Sequence, residues 1–214
     1  MNARMEERRL VVETCLELSR LGYIPGTGGN AALRVSAEEF AVTPTASDYE
    51  AMTPDDVAVL RLDTLEQVAG TKAPSVEAGL HAEFLRFRTD FAASIHTHQP
   101  IASAASLLGV DLPIEDPEHR RTLGPAAPIA PYAPSGTRWL ARAFARTLRR
   151  DCAAYLLQNH GVVCGGASME EALANAQTVE RAAAAVLSGL VRRADGAGRG
   201  LSKSLRRRVL RALE

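Results

Sequence analysis

From Glu6 to Arg20 the apolar residues Leu10, Val11, Cys15, Leu16 and Leu18 recur at helical spacing, and Gly22 follows where glycine ends helices. This predicts an opening amphipathic helix. The small residues Gly26-Thr27-Gly28-Gly29-Asn30 then read as a tight loop ahead of an alternating strand, Ala31 to Val35, with Phe40 to Val42 as its partner. Thr53-Pro54-Asp55-Asp56 is a helix-start signal, and Val57 to Leu62 is β-rich. Ser75 is placed to cap a helix from Val76 to Arg88, on which Leu80, Phe84, Leu85 and Phe87 keep helical spacing.

Ala92 to Thr97 reads as a short buried strand, followed by a helix from Ile101 to Leu108 that Gly109 ends. Val110 to Ser135 is rich in proline and without clear periodicity, so it is expected to be an ordered functional loop with one short strand near Ile129. Beyond it come a helix from Gly136 to Arg150, a buried strand from Ala153 to Leu157 and an extended Val162 to Cys164. A long alanine-rich helix then runs from the Ser168 cap to about Leu190, and Leu201 to Leu213 forms a last basic amphipathic helix. Helices interleaved with short strands predict an α/β fold, a central and mainly antiparallel sheet flanked by helices in layers.

The 214 residues suffice for one domain, 1–214, with 191–214 as a basic tail. Lys plus Arg equals Asp plus Glu, so no global field draws the chain to nucleic acid or an anionic membrane. A nucleic-acid role for Arg192 to Arg211 has only the tail in its favour. The charged N-terminus precedes no apolar run of signal or spanning length, and a cytoplasmic location is expected. Cys15, Cys152 and Cys164 are widely spaced and form no C-x-x-C pair, so they read as free buried thiols.

His96 and His98, two apart on a strand, project from one face and can share an ion. His160, before Gly161, is the candidate third ligand. Three neutral imidazoles would leave a divalent ion its full charge and an open position, the arrangement of a catalytic centre. Glu77 in the first turn of its helix is an acid/base candidate or simply a favourable helix-terminal charge. His81 shares a face with Glu77 and is either a further ligand or, the preferred reading, an imidazole bonded to the backbone at the edge of the core. His119, amid Glu115, Asp116, Glu118, Arg120 and Arg121, is either solvated or a loop contribution to the substrate.

The elements T-C-L-E-L-S-R-L-G (Thr14 to Gly22), G-T-G-G-N (Gly26 to Asn30), T-P-T (Thr43 to Thr45), P-S-V-E (Pro74 to Glu77), H-T-H (His96 to His98), A-P-Y-A-P-S-G-T (Ala130 to Thr137) and N-H-G (Asn159 to Gly161) occur in order. Together, over residues 11–190, they resemble the class II aldolase and adducin-head family. The resemblance implies zinc held by His96, His98 and His160, with Glu77 as the acid/base, although three imidazoles also suit other divalent first-row ions. It places Gly29, Asn30, Thr45 and Ser75 around a substrate phosphate, which agrees with a glycine loop and helix N-terminus as an anion cradle. It further implies retro-aldol cleavage of a short ketose 1-phosphate, of the fuculose 1-phosphate type, to dihydroxyacetone phosphate and an aldehyde through a zinc-stabilised enediolate. A sugar-phosphate substrate, a homotetramer, and no nucleic-acid or membrane partner complete the expectation.

Three positions depart from the aldolase pattern. Ala46 replaces a phosphate-loop glycine, Val76 replaces a second serine, and Pro117 falls where the aldolases have a catalytic tyrosine, leaving His119 as the nearest substitute proton donor. A decarboxylase, epimerase or dehydratase on a differently phosphorylated or unphosphorylated substrate therefore stays open. A non-enzymatic scaffold, as in the adducin heads, is disfavoured by the retained histidines and Glu77.

Overall fold

The computed structural model describes residues 3–197, 200 and 202–213. In chain order the elements are α1 (Ala3–Arg20), β1 (Asn30–Arg34), β2 (Glu39–Val42), β3 (Ala58–Arg61), β4 (Gln67–Ala69), α2 (Ala78–Phe87), β5 (Ala93–Thr97) and α3 (Pro100–Ser106). There follow β6 (Leu112–Pro113), α4 (Pro117–Leu123), β7 (Ala126–Ala127), β8 (Ile129–Ala130), α5 (Arg138–Thr147), β9 (Ala154–Leu157), β10 (Gly161–Gly166), α6 (Met169–Gly196) and α7 (Lys203–Ala212). Eight strands form one sheet in the order β4-β3-β2-β1-β5-β10-β9-β8, antiparallel except for the β8–β9 edge pair. This is the α/β, mainly antiparallel arrangement expected from the pattern of the chain.

Alternation along the strands sorts the core into two layers. Ala31, Leu33, Ala93 and Ile95 pack with Val11, Cys15 and Leu18 of α1, and Ala154, Leu156, Val162 and Cys164 pack with Ala176, Val179 and Ala183 of α6. The opposite face carries Ala32, Phe40, Val42 and Leu60 against Ala78, Ala82 and Leu85 of α2, and Tyr155, Leu157 and Val163 against α2 and α5. Phe84 anchors α2 there through edge-on contacts with Phe91, Phe144 and Tyr155, at centroid distances of 5.7, 5.6 and 5.4 Å. Each such pair contributes about 1 kcal/mol beyond burial. The helix that precedes the site is thus fixed by its far end.

Three local readings differ from the structure. Val110 to Ser135 is not mainly loop: it holds α4 and three short strands. Asp116 caps α4 by accepting from the N–H groups of Glu118 and His119 at 2.9 and 3.0 Å, with Pro117 in the first turn. Thr53-Pro54-Asp55-Asp56 starts no helix, because the Asp56 carboxylate takes the Thr53 N–H and hydroxyl at 2.9 and 3.0 Å and closes a turn. α2 starts at Ala78 rather than Val76, since the Ser75 hydroxyl accepts the N–H of Glu77 at 3.2 Å in a local turn.

Cys15, Cys152 and Cys164 are free and buried. No helix among the described residues is long and apolar enough to cross a membrane. α7 contributes no buried residue, and the first residue of the segment expected to form it, Leu201, lies outside the described residues.

Candidate metal centre

The face of β5 that looks toward α2 carries Ser94 and His96, and His98 continues the alternation just past the strand end. Asn30 on β1 stands opposite His96, and Val163 on β10 stands on its other side. His160 enters from the turn between β9 and β10, where Asn159 adopts a left-handed φ of 56° and His160 N–H donates to Leu157 O at 3.0 Å. Gly161 lets this turn close on the pair: a Cβ there would lie 2.3 Å from Thr97 O and 2.9 Å from His98 Cδ2. A Cβ on Gly28 would lie 2.8 Å from His98 Nδ1, so the glycine loop closes the other side.

One ligand atom from each of the three histidines falls within 4.8 Å of the others. His96 Nε2 and His98 Nε2 are 3.1 Å apart. His96 Nδ1 lies 2.9 Å from Val162 O, a bond that requires the proton on Nδ1 and leaves Nε2 as a lone pair. His160 Nδ1 is buried with no hydrogen-bond partner. Burial pushes all three imidazoles below their ordinary value, so each is neutral and ligand-ready near pH 7. Convergent lone pairs on neutral rings have no stabilising partner in one another, and a divalent cation supplies one.

Glu77 sits at the edge of this cluster, 7% exposed, with Oε2 3.4 Å from His96 Nε2 and Oε1 3.5 Å from His160 Nε2. Asn30 Nδ2 donates to Oε2 at 2.9 Å, and Ser135 Oγ donates to Oε1 at 2.7 Å. Burial pushes the carboxyl up, but His96, these two donors and His160 outweigh it and hold the group below the usual carboxylate range. It rests as a carboxylate.

A cavity of about 150 Å³ opens beside Glu77 and His98, lined by Gly28, Gly29, Asn30, Thr45, Ala46, Ser75, Val76 and Ser135. Gly29, Asn30, Thr45 and Ser75, the positions assigned to a phosphate, thus gather at one mouth. Their polar groups are already partly engaged. Asn30 spends its side chain on Glu77 and His81, Thr45 N–H donates to Ala73 O at 3.0 Å, and Ser75 N–H donates to Thr43 O at 2.9 Å. Ala46 keeps a glycine-like φ of 47°, and Val76 is 67% exposed at the rim.

His81 is neither bonded to the backbone nor among the clustered ligands. Fully buried, it places Nδ1 2.7 Å from Ser94 Oγ and Nε2 2.6 Å from Asn30 Oδ1. His119 lies on α4, its Nδ1 4.0 Å from Asp116, and is not among the residues lining the cavity. Ser135 falls inside the A-P-Y-A-P-S-G-T motif, but nothing local marks it as the contact of a carboxylate 58 positions away. A wider groove of about 480 Å³ along α7 is lined by Lys203, Arg206, Arg207, Leu210 and Arg211 and offers positive charge without a base, nucleophile or metal ligand.

The family model described as Class II Aldolase and Adducin N-terminal domain matches residues 9–187. The chain is 34% identical over 172 residues to L-fuculose phosphate aldolase of Escherichia coli, covering 80% of this chain and 78% of that one. It is 33% identical over 176 residues to 5-deoxy-D-ribulose 1-phosphate aldolase of Bacillus thuringiensis serovar kurstaki, covering 82% and 81%. Among solved structures, L-fuculose-1-phosphate aldolase from Thermus thermophilus superposes with a TM-score of 0.74 at 28% identity, over 94% of this chain and all of that one. Another structure, an L-fuculose 1-phosphate aldolase at 24% identity, shares the fold with a TM-score of 0.79 over 97% and 95% of the two chains.

Proposed function

The chain belongs to the class II aldolase and adducin N-terminal domain family, and from that premise we propose that it is a zinc-dependent lyase cleaving a short ketose 1-phosphate of the fuculose 1-phosphate type. One observation carries the reading: three neutral imidazoles converge on one point with an ionised, doubly hydrogen-bonded glutamate at its edge. A structural site would close its fourth position with a fixed ligand, whereas Glu77 stands beside the donors with its oxygens held by Asn30 and Ser135 and facing the cavity.

His96, His98 and His160 are the residues that would hold the ion, and three nitrogens with a nearby carboxylate suit zinc among the first-row metals. When bound, a divalent ion supplies Lewis-acid polarisation of substrate oxygens and stabilises negative charge that develops there. The residues do the rest. Glu77 handles the proton at the reacting carbon, and Asn30 fixes the carboxylate so that Oε1 faces the cavity side where Ser135 stands. Gly29, Thr45 and Ser75 line the mouth that receives the phosphate end.

The chain is read as one domain, in which both helical layers clasp the strands that present the site. A homotetramer is part of this reading, and the exposed Tyr132 and Trp139 are apolar surface suited to a subunit contact. A second reading, decarboxylation or epimerisation of an unphosphorylated substrate, draws on the apolar Val76 side chain exposed at the rim, where a hydroxyl would strengthen a phosphate subsite by about 1.5–3 kcal/mol.

The test is a panel assay on the zinc-loaded protein: L-fuculose 1-phosphate, 5-deoxyribulose 1-phosphate, and their unphosphorylated and carboxylated analogues. Aldehyde release from a phosphorylated member supports the lyase. Carbon dioxide release or epimerisation without aldehyde moves the assignment to the second reading.

A further inference from the structure

Every group that reaches the Glu77 carboxylate at hydrogen-bonding distance can be compared for its ability to pass a proton. Asn30 Nδ2 donates at 2.9 Å, but an amide relays a proton only through a high-energy imidic acid. His96 and His160 place Nε2 3.4 and 3.5 Å from the carboxylate, but as ligands both rings would be committed to the ion. Ser135 is different. Its hydroxyl donates at 2.7 Å and keeps two lone pairs on the same oxygen, so it can accept one proton while giving up another without changing its own charge.

Position agrees with chemistry. Ser135 lies in an exposed stretch of chain and lines the same cavity as Glu77, whose side chain is mostly buried. The stretch is held in place: Thr137 Oγ1 donates to Pro134 O at 2.6 Å and caps α5 through Leu140 N at 3.3 Å. A Cβ on the intervening Gly136, whose φ is 71°, would come within 3.0 Å of Val76. The hydroxyl is therefore presented on a defined turn, in the cavity and against the carboxylate.

We propose that Ser135 is a catalytic residue, the relay that carries the substrate's hydroxyl proton to Glu77. This rests on the lyase reading. In retro-aldol cleavage the hydroxyl O–H breaks, its oxygen becomes the aldehyde carbonyl, the C–C bond breaks, and the electron pair stays on the ketone-side carbon. The substrate proton passes to Ser135 Oγ as the serine's own proton passes to Glu77 Oε1. Glu77 then delivers that proton to the carbon that retained the electron pair. The serine and the carboxylate both end as they began, and the pair serves both proton transfers within one chain.

The experiment uses the full zinc-loaded chain and its variants Ser135→Ala and Ser135→Thr, assayed on the panel member that the wild type cleaves best. Expected for Ser135→Ala are unchanged bound metal and melting temperature, a KM within about threefold, and a kcat lowered by about 100-fold or more, the scale of a lost acid–base group. Ser135→Thr restores most of kcat. In the metal-free proteins, the infrared carboxylate stretch that disappears in Glu77→Gln shifts in Ser135→Ala and not in Ser135→Thr. Wild-type kcat in Ser135→Ala, loss of metal from it, or a threonine variant no better than alanine would overturn the relay. A wild type that cleaves no member of the panel overturns the lyase reading instead, and needs no variant to show it.

Discussion

His81 Nε2 lies 2.6 Å from Asn30 Oδ1, and that one contact sets which way the Asn30 amide faces. Because Ser94 Oγ stands 2.7 Å from Nδ1, the imidazole can accept there and donate from Nε2. Asn30 Oδ1 then accepts, and its Nδ2 is left to donate to Glu77 at 2.9 Å. A neutral histidine two hydrogen bonds away from the carboxylate thus orients the carboxylate's partner.

That neutrality has a pH signature. Burial lowers the His81 imidazole to about 4, against the opposing charge of Glu77, while the unfolded chain takes up its proton near the ordinary value of 6.5. Between those values the unfolded state binds more protons, so this contribution is full above pH about 6.5 and is lost as pH falls toward 4, on the order of 3 kcal/mol at the lower end. Denaturant unfolding of the metal-free protein at pH 7 and pH 4.5 should show a larger acid loss for the wild type than for His81→Gln. Equal losses would remove His81 from the account of acid sensitivity.

Gly161→Ala should cost about 1–3 kcal/mol and most of the metal affinity, since its Cβ would press on Thr97 O and the His98 ring. Metal titration and thermal unfolding of the variant check both effects. Unimpaired binding would show that the His160 turn is not held by that close approach.

Ala46→Gly should stabilise the fold. At φ 47° an alanine carries about 1 kcal/mol of strain that glycine lacks, although the freer unfolded chain offsets part of the gain. The expected rise in melting temperature is about 1–3 °C for a chain of this size. A fall would mean that the loop relaxes the strain elsewhere.

The legible parts of this molecule were those with a local signature. Leu80, Phe84 and Leu85 mark α2 by spacing, and His96 and His98 announce a shared face by parity alone. α4 was hidden because its seven residues open on Pro117 and offer too little length for a period; its mark was the Asp116 cap. The chain from Ser94 through His81 and Asn30 to Glu77 joins β5, α2 and β1, so no window of sequence contains it. Ser135 lay within a recognisable motif, yet only the packing of the α5 entry against α2 shows what its hydroxyl touches.

The central claim, a divalent ion on His96, His98 and His160 serving carbon–carbon cleavage beside Glu77, is tested most directly by one titration. The protein is stripped with a chelator, and aldehyde release from the panel's best ketose 1-phosphate is followed as zinc is returned. The account predicts no turnover in the stripped protein and recovery that saturates at one ion per chain, with neither binding nor recovery in His98→Ala. Undiminished turnover in metal-free protein would contradict it.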